Sequence, residues 1–272
     1  MVRGRVNGLF MEPSLPTSIK SPNRYIKDIN YGISQKLDGR RSLIRVTDGT
    51  LVGYNRQGDL RSVSSSVSYL KSLQGTWIFD GEEVDRRYYV FDILQTPTTN
   101  MVELPLSVRL ASLIQLADNL PELQIVPVYK TNKQQFYDFC EAEGYEGVVF
   151  KDLRSPYRSG RTKSQLKYKF THTADCIVID MQQDGKDNLV LGMYRGDQIV
   201  ECGRVSALTG HGQRIKLGDV VEVRYLYTST EGRLYQPVCP KIRDDKSPNE
   251  CTVDQLNETR PNRKVIGSSW IP

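Results

Sequence analysis

Short apolar segments separated by polar breaks fill residues 32–94. Several are rich in valine, isoleucine and aromatic residues, as β-strands are. They comprise residues 32–38, 42–46, 51–55, 77–84 and 88–94. Gly49 and Gly58 lie in two of the polar breaks and suit turns. The pattern predicts a sheet-rich first half of the chain.

A helical period replaces the strand pattern in two later segments, residues 104–117 and 132–142. Their apolar positions recur every three or four residues, at Leu106, Leu110, Leu113 and Ala117 and at Phe136, Phe139 and Cys140. Residues 125–130, 146–151 and 166–170 again resemble strands. We therefore predict an α+β domain over residues 1–172.

The helical signals end at about residue 172. Strand candidates then follow one another, separated by Gly, Asp and Asn turns, at residues 174–181, 188–194, 198–205, 219–227 and 234–243. Five short strands in about a hundred residues suit a small barrel such as an OB-fold. We expect a second, all-β domain of this kind over residues 173–272.

Composition narrows the classes of protein and of chemistry. The 272 residues contain no apolar run near the roughly 20 residues that span a bilayer, and the first residues lack a signal-peptide pattern. The five cysteines form no CxxC pair, which favours a reducing compartment over a disulfide framework. We expect a soluble, cytoplasmic protein that is not secreted. Because there are only two histidines, its chemistry is expected to use lysine, arginine and carboxylates.

Positive charge is concentrated between residues 151 and 169. This segment contains seven basic residues and one acidic residue, within a chain of net charge +5. Such a cluster favours a phosphate-rich partner. A solvated charged loop would have the same composition, so the cluster alone leaves both interpretations open.

The most informative short segment is Lys36-Leu37-Asp38-Gly39-Arg40-Arg41, at the end of one predicted strand and the start of the next. A lysine amine becomes a nucleophile when burial or nearby cations lower its pKa. Asp38 lies on the same side of an extended chain as Lys36, where it could orient the amine or help to hold a metal. Taken as an isolated segment, it is better explained as an ordinary turn between strands.

Two candidate carboxylates lie near the ends of predicted strands. Glu82, in the segment 79–84, could bind a ribose hydroxyl or a metal, and Glu146 precedes an apolar strand and could bind Mg²⁺. Phe91 could stack on a purine, although a core phenylalanine is the commoner role. Charged strand ends are also common without any function.

Lys167 and Lys169 alternate along a predicted strand and so share one face. Two such charges repel each other unless an anion lies between them, which points to a phosphate site. An exposed edge strand would show the same alternation, so both interpretations stay open. The later segment Arg243-Asp244-Asp245-Lys246 carries little information alone.

The order of these segments is more informative than any one of them. K-x-D-G-x-R at 36–41 is followed by DGE, FDIL, EGVVFK, LKYK and R-x-D-K at 243–246. This series resembles the covalent nucleotidyltransferase superfamily and, within it, the ATP-dependent DNA ligases. The resemblance covers residues ~30 to ~250, with boundaries uncertain by a few residues.

The resemblance implies a fold and an activity. The fold would be a nucleotidyltransferase (ATP-grasp-like ligase) domain of antiparallel sheets with flanking helices, followed by an OB-fold barrel. The activity would be ATP-dependent sealing of 5′-phosphate/3′-hydroxyl nicks through lysyl-AMP and DNA-adenylate, with Mg²⁺ as cofactor. The partner would be nicked duplex DNA, and the protein a monomer.

It also implies roles for individual residues. Lys36 would be the nucleophile, assisted by Asp38, and Glu146 and Asp38 would bind the metal. The nucleotide would be held by Gln35, Arg41, Arg56, Glu82, Phe91, Lys167 and Lys169, with Glu82 on the ribose, Phe91 on adenine and the two lysines on the α-phosphate. Arg243, Asp245 and Lys246 would orient the pyrophosphate from the barrel.

Other functions share parts of this pattern. An mRNA guanylyltransferase has K-x-D-G and a barrel but uses GTP, whereas many RNA ligases lack the barrel with a terminal R-x-D-K. An NAD⁺-dependent ligase needs an additional N-terminal domain, for which the residues before Lys36 leave no room. A non-enzymatic OB-fold protein that binds nucleic acid is disfavoured because the lysines and glutamates of the series are intact.

Overall fold

The computed structural model describes residues 5–6, 9–10, 12–183, 187–206, 215–256 and 261–267. The chain divides into two compact units, one formed by Met1–Tyr168 with Arg263–Pro272 and the other by Lys169–Asn262. Residues 263–267, which the sequence analysis assigned to the second domain, therefore group with the first unit. The proposed domain boundary at residue 172 remains a prediction.

The first unit is mixed α+β, as expected. Its strands are β1 Arg5–Val6, β2 Leu9–Phe10, β3 Ser14–Ser18, β4 Tyr31–Gln35, β5 Arg40–Thr47, β6 Thr50–Tyr54, β7 Leu60–Arg61, β8 Thr76–Val84, β9 Arg87–Gln95, β10 Gln124–Ile125, β11 Gly147–Asp152 and β12 Gly160–Lys169. Its helices are α1 Asn23–Lys27, α2 Leu106–Asn119 and α3 Lys133–Ala142, with a 3-10 helix at Ser65–Ser72. Both predicted helices, now α2 and α3, are confirmed.

Two sheets position the site residues of this unit. The larger sheet has the order β10-β9-β8-β5-β6-β7, and the smaller has the order β3-β12-β11-β4. Most pairs are antiparallel, as expected, but β9–β10 and β3–β12 are parallel. Helix α2 supplies the crossover connection that a parallel pair such as β9–β10 needs. The strand predicted at 125–130 is shorter than expected, since Pro127 has no amide hydrogen with which to continue a ladder.

Alternation along the larger sheet separates an apolar face from a face with charged residues. Ile44, Phe79, Val90 and Ile93 pack in one core cluster with Leu113 of α2. This cluster buries the apolar stripe that predicted α2. The intervening positions of β5 and β8 face the other way, and these include Arg41 and Asp80.

The second unit contains one five-stranded antiparallel sheet, with the order β15-β14-β13-β16-β19. The strands of the unit are β13 His172–Gln183, β14 Asp187–Arg195, β15 Gln198–Ser206, β16 Val220–Tyr225, β17 Tyr227–Thr228, β18 Leu234–Tyr235 and β19 Val238–Ile242, with 3-10 turns at Pro248–Glu250 and Val253–Gln255. Strands β17 and β18 form a separate two-stranded antiparallel sheet. Within the described residues, no ladder joins β15 to β19 to close a barrel. The structure thus establishes a sheet-rich α+β protein, and the OB-fold expectation is taken up below.

Cys140, Cys176, Cys202 and Cys251 are free and buried. In the part of the chain that the structure describes, no helix is long and apolar enough to cross a membrane.

Candidate functional site

Lys36 follows β4 directly and is held by the neighbouring strand β11. Its amide donates to the carbonyl of Gly147 at 2.9 Å, and the register of the two strands pairs Gln35 with Val148. This register brings Glu146, the residue before β11, beside Lys36. The Lys36 Nζ forms an ion pair with the Glu146 carboxylate and also donates to the Leu37 carbonyl at 3.2 Å. Two residues 110 positions apart in the chain therefore meet at one point.

The two partners of this ion pair differ in their exposure to solvent. The Lys36 side chain is 18% exposed and the Glu146 side chain 4%. An ion pair between partly buried groups holds its partners closely, because water competes less for them. Lys36 is therefore fixed and still reachable from solvent, as its expected role as a nucleophile requires.

Glu82 supports the loop that follows Lys36. It lies on β8 opposite Arg41 of β5, and its Oε1 accepts a hydrogen bond from the Gly39 amide at 3.0 Å. Burial raises the pKa of Glu82, although the nearby Arg41 and Lys36 oppose this effect. The carboxylate that was expected to hold a ribose thus anchors the backbone of the loop that follows Lys36.

Gly39 is required by this close approach. A Cβ at Gly39 would lie 2.4 Å from the Glu83 carbonyl oxygen and 2.8 Å from Cγ2 of Val84. The first of these atoms belongs to the backbone and cannot turn aside. The glycine of the K-x-D-G segment is therefore explained by packing of the loop against β8.

Arg41 takes part in a buried network that the sequence analysis did not foresee. Its Nε and Nη2 each donate to Asp80 at 2.7 Å, and Nη2 also donates to the Ser14 carbonyl at 2.8 Å. The hydroxyl of Tyr157 donates to Asp80 at 2.7 Å and accepts from the Ser14 amide at 2.8 Å. Burial lowers the pKa of Arg41, but the adjacent Asp80 carboxylate outweighs it and the net shift is upward. Arg41 is thus a fixed cation on the charged face of the larger sheet.

Phe91 lies beside two cations. The guanidinium carbon of Arg41 is 4.3 Å from the centre of its ring, and the Nζ of Lys151 is 4.8 Å from it. These distances are those of cation–π contacts. Phe91 is 7% exposed and belongs to an apolar cluster with Leu37 and Val84. Its expected role in stacking on adenine remains a prediction.

Lys151 is a charged residue of this region that the motif analysis did not single out. It is 4% exposed, on β11. Burial lowers the pKa of its ammonium to about 8. The signal in the sequence was a lysine at the end of a strongly apolar strand. Burying a charge there costs free energy unless the charge is paired or serves a function.

The two lysines of β12 lie in the smaller sheet. Lys167 pairs in register with Ser18 of β3, and the Nζ of Lys169 donates to Gln236 Oε1 at 2.9 Å. The sheet order places β11 between β12 and β4, the strand that leads to Lys36. The expected role of Lys167 and Lys169 on the α-phosphate remains a prediction.

The remaining nucleotide candidates of the first unit have different surroundings. Arg56 is exposed in the turn after β6. Asp38 is half-exposed, and Arg263 contacts it. Gln35 is buried, and its amide is bonded to main-chain atoms of residues 264 and 266.

Arg243, Asp245 and Lys246 form an ion-pair cluster within the second unit. Arg243 donates to both oxygens of Asp245, at 2.8 and 2.9 Å, and contacts Asp175 at 3.1 Å and Glu222 at 3.3 Å. Lys246 pairs with the other oxygen of Asp175. The hydrogen bond from Arg243 lowers the pKa of Asp245 to about 2.

The sequence analysis missed the acidic members of this cluster. Asp175 and Glu222 lie directly opposite each other on β13 and β16. Like charges at opposed positions repel each other, and Arg243 and Lys246 supply the balancing cations. An acidic residue inside the apolar run 174–179 was the available signal, because such a position is unfavourable unless the charge is paired.

Comparison with known proteins gives a match to part of the chain. Residues 79–169 match the model of the ATP dependent DNA ligase domain. The chain is 32% identical over 92 residues to a probable DNA ligase of Nocardia farcinica and 27% identical over 187 residues to one of Rhodococcus jostii. These matches cover 34% and 53% of this chain but only 18% and 37% of the relatives. The chain thus spans less than two fifths of either relative's length.

Solved structures resemble it over more of its length. The ligase domain of Mycobacterium tuberculosis LigD aligns with a TM-score of 0.54 and 22% identity, over 89% of this chain and 97% of that one. A structure described as a Lig E DNA ligase with a minimal DNA-binding scaffold aligns with a TM-score of 0.64 and 16% identity, over 85% and 99%. At sequence identities of 16–22%, this structural similarity shows a shared fold.

Proposed function

We propose, from the premise that the chain belongs to the ATP-dependent DNA ligase family, that it seals nicks in duplex DNA at the expense of ATP. One observation carries the proposal. The matched segment 79–169 contains Glu82 and Glu146 but not Lys36, and the ion pair between Lys36 and Glu146 joins the candidate nucleophile to that segment. The pairing arises from strand register and is independent of the sequence comparison.

The first step is attack of the Lys36 Nζ on the α-phosphorus of ATP. A P–N bond forms, the P–O bond to pyrophosphate breaks, and the lysine must first lose a proton. The carboxylate of Glu146 contacts Nζ and is placed to hold the amine and to receive that proton. Glu82 keeps the loop in place through the Gly39 amide. The step depends mainly on positioning and charge, as phosphoryl transfers do.

Two further transfers complete the reaction. The AMP passes from Lys36 to the 5′-phosphate of the nick, and the 3′-hydroxyl then displaces it as the phosphodiester bond forms. The fixed cations Arg41 and Lys151 lie beside Phe91 and supply positive charge to this part of the unit. The other nucleotide contacts expected for Gln35, Arg56, Lys167 and Lys169 are part of the proposal.

Magnesium fits the available donors. Mg²⁺ prefers oxygen ligands and is commonly held by one or two carboxylates together with substrate phosphates. Glu146 provides a carboxylate at Lys36 Nζ, and Asp38 provides a second carboxylate two residues along the chain. The described residues form no ready-made cluster of three acidic, histidine or cysteine ligands. Such an ion would neutralise charge that develops on the phosphates.

We assign the nucleotide chemistry to the first unit and pyrophosphate orientation by Arg243, Asp245 and Lys246 to the second. The antiparallel order of the five main strands of the second unit supports an OB-type fold. The partner is nicked duplex DNA, and the basic stretch 151–169 supports phosphate contacts. We further propose that the protein works as a monomer.

The test is sealing of a singly nicked, 5′-phosphorylated DNA duplex with ATP and Mg²⁺. The same duplex with an RNA strand at the nick, and the same reaction with GTP, are run beside it. We expect sealing of the DNA nick with ATP. Sealing only of the RNA nick, or activity only with GTP, would contradict the proposal.

A further inference from the structure

Residues 263–267, here called the strap, lie against the strand that leads into Lys36. The Nε2 of Gln35 donates to the Lys264 carbonyl at 2.7 Å, and its Oε1 accepts from the Ile266 amide at 2.9 Å. Gln35 is 5% exposed, so both bonds lie largely out of water. One side-chain amide thus satisfies a donor and an acceptor of the strap, as a neighbouring strand would do.

Arg263 of the strap links two elements next to the nucleophile. Its Nη2 donates to the Asp38 carbonyl at 3.0 Å, and its Nε is 4.0 Å from the Asp38 carboxylate. Its Nη1 is 3.2 Å from the carboxylate of Asp85, which lies in the turn between β8 and β9. Arg263 therefore ties the Lys36 loop to the larger sheet, on which Glu82 also holds the loop.

Apolar packing completes the attachment. Val265 packs against the cluster that contains Leu37 and Phe91, and Ile266 is 7% exposed. The hydroxyl of Tyr129 donates to the Gly267 carbonyl at 3.1 Å. The strap is thus bonded to the residue before Lys36, packed on a cluster that includes the residue after it, and bonded again to Asp38.

We infer that the strap is a positioning element for Lys36, with Gln35 and Arg263 as its two main anchors. The inference rests on the proposed function, because it takes Lys36 as the nucleophile. The strap fixes the backbone on both sides of Lys36, whereas Nζ itself is held by Glu146. A displacement of about 1 Å at a nucleophile can cost a hundredfold in rate, so fixing the loop controls the first step.

A positioning role differs from a general stabilising role in the step that it affects. Lys36 is the nucleophile only when lysyl-AMP forms. Sealing of a nick that already carries AMP on its 5′-phosphate uses the 3′-hydroxyl as nucleophile. Loss of the strap should therefore slow the first reaction and leave the second nearly unchanged.

The experiment compares the full chain with Arg263→Ala and with a chain that ends at Asn262. Arg87→Ala is the matched control, because Arg87 is an exposed arginine at the start of β9, near the same turn. The single-turnover rate of lysyl-AMP formation is measured over a range of ATP concentrations, and sealing of a pre-adenylated nick is measured separately. Hydrogen exchange of amides 35–39 is followed in all four proteins.

We expect the shortened chain to form lysyl-AMP about 10- to 100-fold more slowly at saturating ATP, and Arg263→Ala to show a smaller loss in the same direction. The ATP concentration for half-maximal rate and the sealing of the pre-adenylated nick should change less than about threefold, which separates positioning from binding. Exchange of amides 35–39 should accelerate in both variants and not in Arg87→Ala. Arg263→Lys should have a rate between those of the full chain and Arg263→Ala. The lysine ammonium keeps the positive charge but cannot make the several directed hydrogen bonds of a guanidinium.

Two results would overturn the inference. Equal losses in both reactions would show that the strap only stabilises the fold, and unchanged rates with unchanged exchange would show that it does not hold the loop. If the full chain forms no lysyl-AMP at all, the proposed function is wrong. The exchange measurement then still decides whether the strap fixes residues 35–39.

Discussion

The hydroxyl of Tyr157 provides a sharp test of the network around Arg41. It donates to the buried Asp80 carboxylate and accepts from the Ser14 amide, and Asp80 is 0% exposed. The substitution Tyr157→Phe keeps the ring and removes only the oxygen. The substitution would leave the buried Ser14 amide without a hydrogen-bond partner. It would also leave the buried Asp80 carboxylate with one hydrogen bond fewer.

The magnitude follows from these two losses. A hydrogen bond to a charged group contributes about 1.5–3 kcal/mol, and a buried amide left unsatisfied costs about 1–3 kcal/mol. Partial relaxation of the site reduces the sum, so we expect Tyr157→Phe to lower the free energy of unfolding by about 2–4 kcal/mol.

Tyr54 offers the matched control. It is 5% exposed, against 3% for Tyr157, and both belong to the same apolar cluster with Leu43 and Ile78. None of the described hydrogen bonds of the Arg41 network involves the hydroxyl of Tyr54. Tyr54→Phe should therefore change the free energy of unfolding by less than about 1 kcal/mol.

The assay is urea unfolding at neutral pH, with midpoint and slope measured for both variants. A shift of the midpoint at constant slope for Tyr157→Phe, with little shift for Tyr54→Phe, would support the network. Equal small shifts for the two variants would refute the reasoning, because the Tyr157 hydroxyl would then contribute no more than an ordinary tyrosine hydroxyl.

Three further predictions concern buried charge and close packing. Arg109→Leu leaves the buried carboxylate of Asp92 without its forked partner, and should lower the free energy of unfolding by about 3–5 kcal/mol in urea unfolding, with partial recovery on adding Asp92→Asn. Burial lowers the pKa of Lys151 to about 8 from 10.5, so the unfolded chain binds more protons between these values and stability should rise across this pH range. Lys151→Met should remove this rise, of at most roughly 3 kcal/mol, and identical pH profiles for the two proteins would count against it. Gly39→Ala should slow lysyl-AMP formation at least about tenfold, because its Cβ meets the Glu83 carbonyl, and a normal rate would contradict that explanation.

Local pattern was enough to predict much of the fold. Helices α2 and α3 were visible in the spacing of their apolar residues, and the strands of the second unit in alternation and turns, because these periods are set by backbone geometry alone. The five-residue helix α1 was missed, because it is too short to show a helical period. The parallel pairs β9–β10 and β3–β12 were missed, since the direction of a neighbouring strand depends on the path of the chain between them.

The site was predictable only as a list of residues. The order of motifs pointed to Lys36 and Glu146, but their ion pair follows from the register of β4 and β11, which no local pattern encodes. The partners of Arg41 were missed for the same reason, as Asp80 lies 39 residues away in the chain. The strap was missed because its attachment depends on hydrogen bonds to Gln35, from 229 residues away.

The most direct test of the central claim is the position of AMP on the protein. The chain is incubated with ATP and Mg²⁺ without DNA, and intact mass and peptide mapping are compared with those of Lys36→Arg, which keeps the positive charge but removes the nucleophilic amine. We expect one AMP per chain, carried by Lys36, and none on the variant. AMP on a different lysine, or none on the native chain, would contradict the assignment of Lys36 as the nucleophile.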